Sequence, residues 1–209
     1  MLQIPTHLEK VRDVSITKKE LISFETEIKE QYEAGNIPSP IHLSRGNEDK
    51  LIKIFEHIHP DDWVYSAWRN HYHALIHGFD KDKLRDDIIS GRSMATSSNV
   101  NKFYSSAIVG GILPIALGSA MAFKRKNSNR RVWCFIGDMT FETGGFHECY
   151  KYSKNFELPL EFVIEDNNLS VHTPTDAAWN KKQNIPDDIV YYTYKNEYPH
   201  HGTGSWVNF

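Results

Sequence analysis

Two places where an apolar run gives way to polar side chains hold the groups with the most chemical promise. Val132-Trp133-Cys134-Phe135-Ile136 ends in Gly137-Asp138, and Phe162-Val163-Ile164 ends in Glu165-Asp166-Asn167-Asn168. Short unbroken apolar runs are the pattern of strands covered on both faces of a parallel sheet. In such sheets ligands gather beyond the carboxyl ends of the strands. The chain between Asp138 and Asn167 is long enough for a helix and a return strand, so neighbouring strands would bring both side chains to one rim. An ionised Asp oxygen, an Asn amide oxygen and a nearby carbonyl suit Mg2+ or Ca2+, ions that complete their shells with substrate phosphates. A phosphorylated cofactor follows. Gly137 would let the backbone turn tightly, and the amides of Met139 and Thr140 would open the next helix, where free N–H groups favour a phosphate. Taken singly, Gly-Asp after a strand is a turn. Its pairing with the downstream amides is what points to a site.

Capping and periodicity outline the elements that must position these groups. Thr17 to Ala34 reads as a helix, because Thr17 and Glu20 form a capping-box pair, Leu21, Phe24, Ile28 and Tyr32 recur at helical spacing, and Gly35 closes it. A Pro-rich connection from Asn36 to Pro40 leads to a second helical stretch, Glu48 to His57. Trp63 to Ala67 fits a short strand, Lys81 to Ser90 a helix, and Gly91 to Tyr104 a long polar loop. Leu113 to Lys124 is rich in small residues and reads as a buried helix; Phe146 to Asn155 is helical, and Ile189 to Tyr194 is a last strand. Strand, helix, strand in this order argues for right-handed crossovers and a helix-flanked parallel sheet.

The bulk composition narrows the function. A chain of 209 residues fits one domain with a sizeable core. A net charge of -3, from 24 basic and 27 acidic residues spread along the length, offers no polycationic tract for nucleic acid. Cys134 and Cys149 are the only cysteines and lack Cys-x-x-Cys spacing, so no disulfide framework or zinc site is expected. Met1 to Glu20 has no apolar signal-peptide run, and no window approaches the length of a membrane span. A soluble cytoplasmic protein is expected, with neither nucleic acid nor membrane as a partner.

Gly137-Asp138-Met139 followed by Glu165-Asp166-Asn167-Asn168 resembles the thiamine diphosphate signature, Gly-Asp-Gly and a later Asn-Asn. Trp68-Arg69-Asn70-His71, with Ala74-Leu75 and Gly78, is similar to the stretch Tyr-Arg-Asp-His-Gly-His-Ala-Leu-x-x-Gly. That stretch belongs to alpha subunits of thiamine diphosphate-dependent 2-oxo acid dehydrogenases. His42-Leu43-Ser44-x-Gly46-Asn47-Glu48 resembles their His-Leu-x-x-Gly-Gln-Glu, and Ile108-Val109-Gly110 with Leu113-Pro114 and Gly118 resembles their aminopyrimidine-holding segment. Leu158-Pro159 matches the Leu-Pro before the ligand strand, so the similarity runs in order from about Ile41 to Thr173.

The resemblance implies a three-layer parallel-sheet α/β domain of the pyrophosphate-binding type over residues 41–209, preceded by a helical N-terminal arm, residues 1–40, that could clasp a partner. Asp138, Asn167 and the Leu169 carbonyl would hold Mg2+ or Ca2+. In a transketolase-like register Asn168 and Ser170 would replace Asn167 and Leu169. Arg69, beside Trp68, would grip the diphosphate with the Met139 and Thr140 amides. Backbone groups of Ala107, Ile108 and Val109 would approach the aminopyrimidine. His71 and His201 are candidate catalytic, substrate-facing donors or acids. Arg69 could instead pair at the surface with Asp61 or Asp62, and His71 and His73 could be ordinary half-buried histidines.

Three departures matter. Met139 replaces the third glycine, which is tolerable only if it avoids positive φ and its side chain can point away from the phosphate. Asp166 stands in the place of the first Asn, and the short interval from Asp176 to Val190 implies that one strand-helix unit near the C-terminus is missing. The glutamate that ionises the cofactor comes from a separate pyrimidine-binding module in this family, so a beta-type partner in an α2β2 heterotetramer is implied. The reaction stays open between oxidative decarboxylation of a 2-oxo acid and ketol transfer from a ketose as in split transketolases. A non-catalytic, cofactor-binding regulatory subunit is a third reading.

Overall fold

The structure is a computed structural model and describes residues 1–180 and 184–208. Its first half carries β1 (Leu2–Gln3), α1 (Lys18–Glu33), α2 (Glu48–Phe55), β2 (Trp63–Ser66), α3 (His71–Ile76), α4 (Lys81–Asp87), β3 (Ser97–Ser98) and β4 (Phe103–Ser105). Then follow α5 (Ile112–Arg125), β5 (Val132–Gly137), α6 (Asp138–Phe141), α7 (Gly144–Asn155), β6 (Leu160–Asp166), β7 (Leu169–Ser170), β8 (Thr173–Pro174), α8 (Thr175–Trp179) and β9 (Val190–Thr193). Seven strands make one sheet in the order β1-β9-β6-β5-β2-β4-β3. The five central strands are mutually parallel. Both edges differ from the expected all-parallel sheet: β1 runs antiparallel to β9, and β3 to β4. A separate antiparallel pair, β7 and β8, follows the end of β6.

Alternation along the strands divides the core. Successive strand side chains point to opposite faces. Trp133, Phe135 and Val163 meet Leu21, Phe24 and Ile28 of α1, Leu51 and Phe55 of α2, and Ala74 of α3. Cys134, Ile136, Phe162 and Ile164 meet Ile112 and Ala116 of α5 and Phe146 and Cys149 of α7. Each large side chain taken fully out of water contributes about 1.5–3 kcal/mol, so both faces are strongly held. This two-sided burial is why β5 reads as an unbroken apolar run.

Local signals located several boundaries. The expected capping box is formed: the Thr17 amide donates to Glu20 Oε2 at 2.7 Å, and the Glu20 amide donates to Thr17 Oγ1 at 3.3 Å. Gly35 leaves α1 at φ 77°. The helix expected over Lys81 to Ser90 ends earlier and passes into a π turn, Ile88–Arg92, in which Gly91 sits at φ 89°. Two expectations are corrected. The loop assigned to Gly91 through Tyr104 contains β3 and the start of β4, strands too short to show periodicity and held by backbone pairing. The α5 segment is buried on one side only: Ala116 and Ala120 face the sheet, whereas Ile115 is 43% exposed. Within residues 1–40, β1 pairs with β9, and Leu21, Phe24 and Ile28 of α1 join the core. Residues 181–183, within the short interval noted before Val190, lie outside the described residues. No helix among the described residues is long and apolar enough to cross a membrane.

Glu25 is a fully buried carboxyl group on α1 that accepts hydrogen bonds from the Ser44 amide at 2.9 and 3.1 Å and from the Arg45 amide at 3.2 Å. It thereby ties α1 to the segment running from His42 to Glu48. Burial outweighs those bonds and pushes its carboxyl up to about 7. Between the ordinary carboxylate range and about 7, the folded chain keeps a proton that the unfolded chain releases. The contribution is complete at low pH and is lost as pH rises through about 7. Thermal melts between about pH 5 and 8 should show wild type losing on the order of 3 kcal/mol relative to Glu25→Gln. Parallel curves would refute titration of this carboxyl in that window.

Candidate functional site

The parallel strands deliver their carboxyl ends to one cavity of about 250 Å³. Ala67, Trp68 and Arg69 reach it after β2, Ala107 and Val109 after β4, and Gly137 through Thr140 at the β5–α6 junction. The end of β6 and its following turn add Glu165, Asn167, Leu169, Ser170 and Val171; His42, Met94, Tyr194 and His200 complete the wall.

The hard-oxygen corner is built by two tight turns. Asp138 begins α6 with only 6% of its surface exposed, and Thr175 Oγ1 donates to its Oδ2 at 2.5 Å. Across the cavity, Asn167 Oδ1 accepts from the Leu169 amide at 3.0 Å, which shapes the turn after β6 while leaving the amide oxygen a second lone pair. Asp166 is occupied differently. Its Oδ1 accepts from the Asn168 amide at 2.8 Å, and the Tyr191 hydroxyl donates to its Oδ2. Asn168 adopts φ 58° and is tied to the start of α8: its carbonyl accepts from the Thr175 amide at 3.1 Å and its side chain from the Asp176 amide at 3.3 Å. Asn167 therefore reaches the cavity wall, and Asn168 does not.

Met139 meets the backbone condition of its position, although it also lines the cavity. It lies inside α6, outside the positive-φ residues, and the Trp179 indole donates to its sulfur at 3.1 Å. Gly137 corrects the tight-turn expectation, because its φ of -78° and ψ of 163° are open to any residue. A Cβ placed there would meet nothing within 4 Å, so what the glycine contributes is free space beside the cavity.

The opposite wall is aromatic and basic. Arg69 Nη2 donates to the His200 carbonyl at 2.9 Å. It does not pair with Asp62, which accepts from the Arg131 amide at 2.9 Å, the Trp133 indole at 3.0 Å and the His59 amide at 3.1 Å. The His42 ring lies 5.1 Å from that of His200 and 5.9 Å from that of Trp68. Burial, reinforced by Arg69 and His200, holds His42 down at about 3, so its ring is neutral near pH 7. His200 is lowered for the same reasons, burial first and then Arg69. Trp68 Nε1, Arg69 Nε and His42 Nδ1 are buried without a protein partner. Buried donors left unpaired are costly, so the Trp68 and Arg69 N–H groups beside one cavity match a ligand with acceptor atoms, and His42 Nδ1 donates or accepts according to its tautomer.

Some expected site residues stand elsewhere. His71 is fully buried and outside the wall; its Nε2 lies 2.9 Å from Ser93 Oγ, its Nδ1 lies 3.8 Å from Glu25, and burial lowers it to about 4. Ile108 is 72% exposed while its neighbours Ala107 and Val109 line the cavity. His201 is exposed at the rim, with its ring 6.0 Å from that of His200. His42, Met94, Glu165, Tyr194 and His200 line the cavity without having been singled out as site residues. Glu165 carried a signal, its place just before the Asn pair, and His42 stood in a matched stretch. Tyr194 closes the expected last strand, and Met94 carried no signal, because only long-range packing brings it in.

Residues 17–192 match the family described as dehydrogenase E1 component. The alpha subunit of acetoin:2,6-dichlorophenolindophenol oxidoreductase from Bacillus subtilis (strain 168) is 30% identical over 169 residues, covering 76% of this chain and 51% of that protein. The pyruvate dehydrogenase E1 component subunit alpha of Porphyra purpurea is 25% identical over 207 residues, covering 86% of this chain and 59% of the relative. The corresponding Zymomonas mobilis subunit is 28% identical over 166 residues, 74% of this chain and 47% of its own. The chain thus spans about half the length of these relatives, with the match running through every strand that delivers a residue to the cavity except the very end of β9. It belongs to the dehydrogenase E1 component family, among relatives named as alpha subunits.

Proposed function

We propose that this chain is the diphosphate-binding, alpha-type subunit of a thiamine diphosphate- and metal-dependent enzyme that cleaves a carbon-carbon bond beside a carbonyl, with a 2-oxo acid as substrate. One observation carries the reading: Asp138, Asn167 and Leu169 share a single cavity with Arg69, Trp68 and the opening amides of α6. The donor set fits the group. A carboxylate, an amide oxygen and a main-chain carbonyl are hard ligands for Mg2+, with Ca2+ as the alternative, and the unpartnered Trp68 and Arg69 N–H groups suit an anionic cofactor. The hydrophobic cluster on each face of the sheet supports a three-layer arrangement of the pyrophosphate-binding type.

In this reading Asp138, the Asn167 side chain and the Leu169 carbonyl hold the metal. Arg69 and the Met139 and Thr140 amides hold the diphosphate, where a helix opening favours negative charge. Backbone groups of Ala107 to Val109 receive the aminopyrimidine, with His201 at the rim for the substrate and neutral His42 and His200 beside it. The bound cofactor supplies the nucleophilic carbon and the electron sink for the bond that breaks. All these groups fall within residues 41–209, with residues 1–40 buttressing them from the α1 side. A beta-type subunit supplies the activating glutamate, in an α2β2 assembly working in the cytoplasm. The relatives' names divide between pyruvate and acetoin, an acid and a hydroxyketone, so the acceptor chemistry is to be read from products.

Calorimetry on the chain with its partner subunit should show thiamine diphosphate binding only when Mg2+ is present, and Asp138→Ala should abolish it. Arg69→Ala should weaken binding by roughly 10- to 100-fold, the cost of losing one or two charge-assisted hydrogen bonds. Metal-independent binding, or unchanged affinity in Asp138→Ala, would defeat the site assignment. Turnover should need the partner: carbon dioxide release from a 2-oxo acid supports the dehydrogenase-like reading, and aldehyde transfer a transketolase-like one. Tight binding without turnover in every reconstitution marks a regulatory subunit, and turnover by the isolated chain refutes the partner requirement.

A further inference from the structure

Beneath the cavity a line of polar groups crosses the sheet on the α1–α3 side. The register sets Phe135 level with Val163, Gly137 with Glu165, and Glu165 with Tyr192. Ser66, at the end of β2, is separated from β6 by the whole of β5. A single buried ring closes that gap. His73 of α3, 1% exposed, sits 2.7 Å from Ser66 Oγ through Nδ1 and 3.1 Å from Glu165 Oε1 through Nε2. Its ring passes over Phe135 at 4.4 Å and stacks on Phe55 at 6.1 Å. The line continues: the Tyr192 hydroxyl donates to Glu165, and Asn47 Nδ2 donates to that hydroxyl at 3.1 Å.

The donor order follows from the ends. A carboxylate only accepts, so His73 Nε2 donates to Glu165, and in the neutral ring Nδ1 accepts from the Ser66 hydroxyl, which also lies 3.2 Å from the Ala67 carbonyl. Both ends of the bridge abut the site. Ser66 precedes Ala67-Trp68-Arg69, and Glu165 lines the cavity two residues before Asn167. Both ring nitrogens of His73 are partnered in this buried line, so breaking either bond leaves a buried polar group unsatisfied, and that ties together the elements the ring joins.

We propose that His73 is a positioning residue: by bridging Ser66 and Glu165 across β5, it sets the separation between the Arg69 segment and the Asn167 turn. The purpose of that separation, spanning a diphosphate and its metal, rests on the functional reading above. The bridge itself can be tested without any cofactor.

Hydrogen exchange on the full chain is the first arm. Ser66→Ala should speed exchange of the amides at 167–169 as well as those at 67–69, and Glu165→Gln should do the reverse, each cross effect being about tenfold. Both cross effects should vanish in a His73→Phe background, where ring packing on Phe55 and Phe135 is kept and the polar bridge is lost. Cross effects that are absent from the start, or that persist without His73, would overturn the proposal. Cofactor titration is the second arm. His73→Phe should weaken thiamine diphosphate binding in the presence of Mg2+ by about tenfold, measured at a temperature where its melting curve shows the variant fully folded. His73→Gln, which restores a donor toward Glu165, should recover part of the loss; equal affinity in wild type and His73→Phe would count against the bridge. A wild-type chain that binds no cofactor refutes the functional reading, and the exchange arm still decides the role of His73.

Discussion

Parallel pairing of β2, β5 and β6 is the constraint from which the rest of the molecule follows. Parallel strands all end at the same edge, so the residues after each strand must share that edge. The β5–β6 register sets Gly137 directly beside Glu165, which brings the Asp138 and Asn167 turns to opposite sides of one opening. Parallel strands need crossovers, and the crossovers are α3 with α4, α5, and α6 with α7. Together with α1 and α2, those helices cover both faces and account for the apolar runs of β5 and β6.

Burial of polar groups is the second organising condition. Glu25, His71, His73, Asp62 and Asn47 are each nearly or wholly buried, a large investment for one core. They are not scattered. Glu25 accepts from Ser44 and Arg45, Asp62 joins Trp133 to Arg131 and His59, and His73 joins Ser66 to Glu165. Glu25 fastens the loop that carries His42, and His73 the sheet beneath the cavity, while Asp62 does the same at the opposite, amino end of β2 and β5. Hydrogen-bonded networks of this kind favour one arrangement of the core over close alternatives. Along the cavity wall Trp68 Nε1, Arg69 Nε and His42 Nδ1 have no protein partner, a condition that His71 Nδ1 and Asn47 Oδ1 share in the core.

The turn after β6 shows how neighbouring residues of similar chemistry are given different tasks. Asp166, Asn167 and Asn168 are all short polar side chains able to cap turns. Asp166 lies on the side toward Tyr191 and is consumed by that hydroxyl and the Asn168 amide. Asn168 takes a left-handed conformation and secures α8. Asn167 alone of the three lines the cavity.

Sequence by itself determined the elements with strong local signals: the capping box at Thr17, the apolar runs of β5 and β6, and the glycine that ends α1. Those signals depend on neighbours a few residues apart, so they survive without knowledge of the fold. It also marked the segments that meet at the cavity, because strand-end residues in a parallel sheet have only one place to go. Tertiary structure decided what depends on distant partners. The three-residue β4 exists through pairing with β2, and Ile115 stays exposed because α5 has a single sheet face. His71 and His73, two positions apart on one short helix, show the limit most clearly. Successive helical positions diverge in direction, so His71 turns toward Glu25 and Ser93 while His73 crosses β5 to Glu165. No spacing rule assigns those partners, since they come from α1, the π turn and β6, elements that only the folded packing brings to α3.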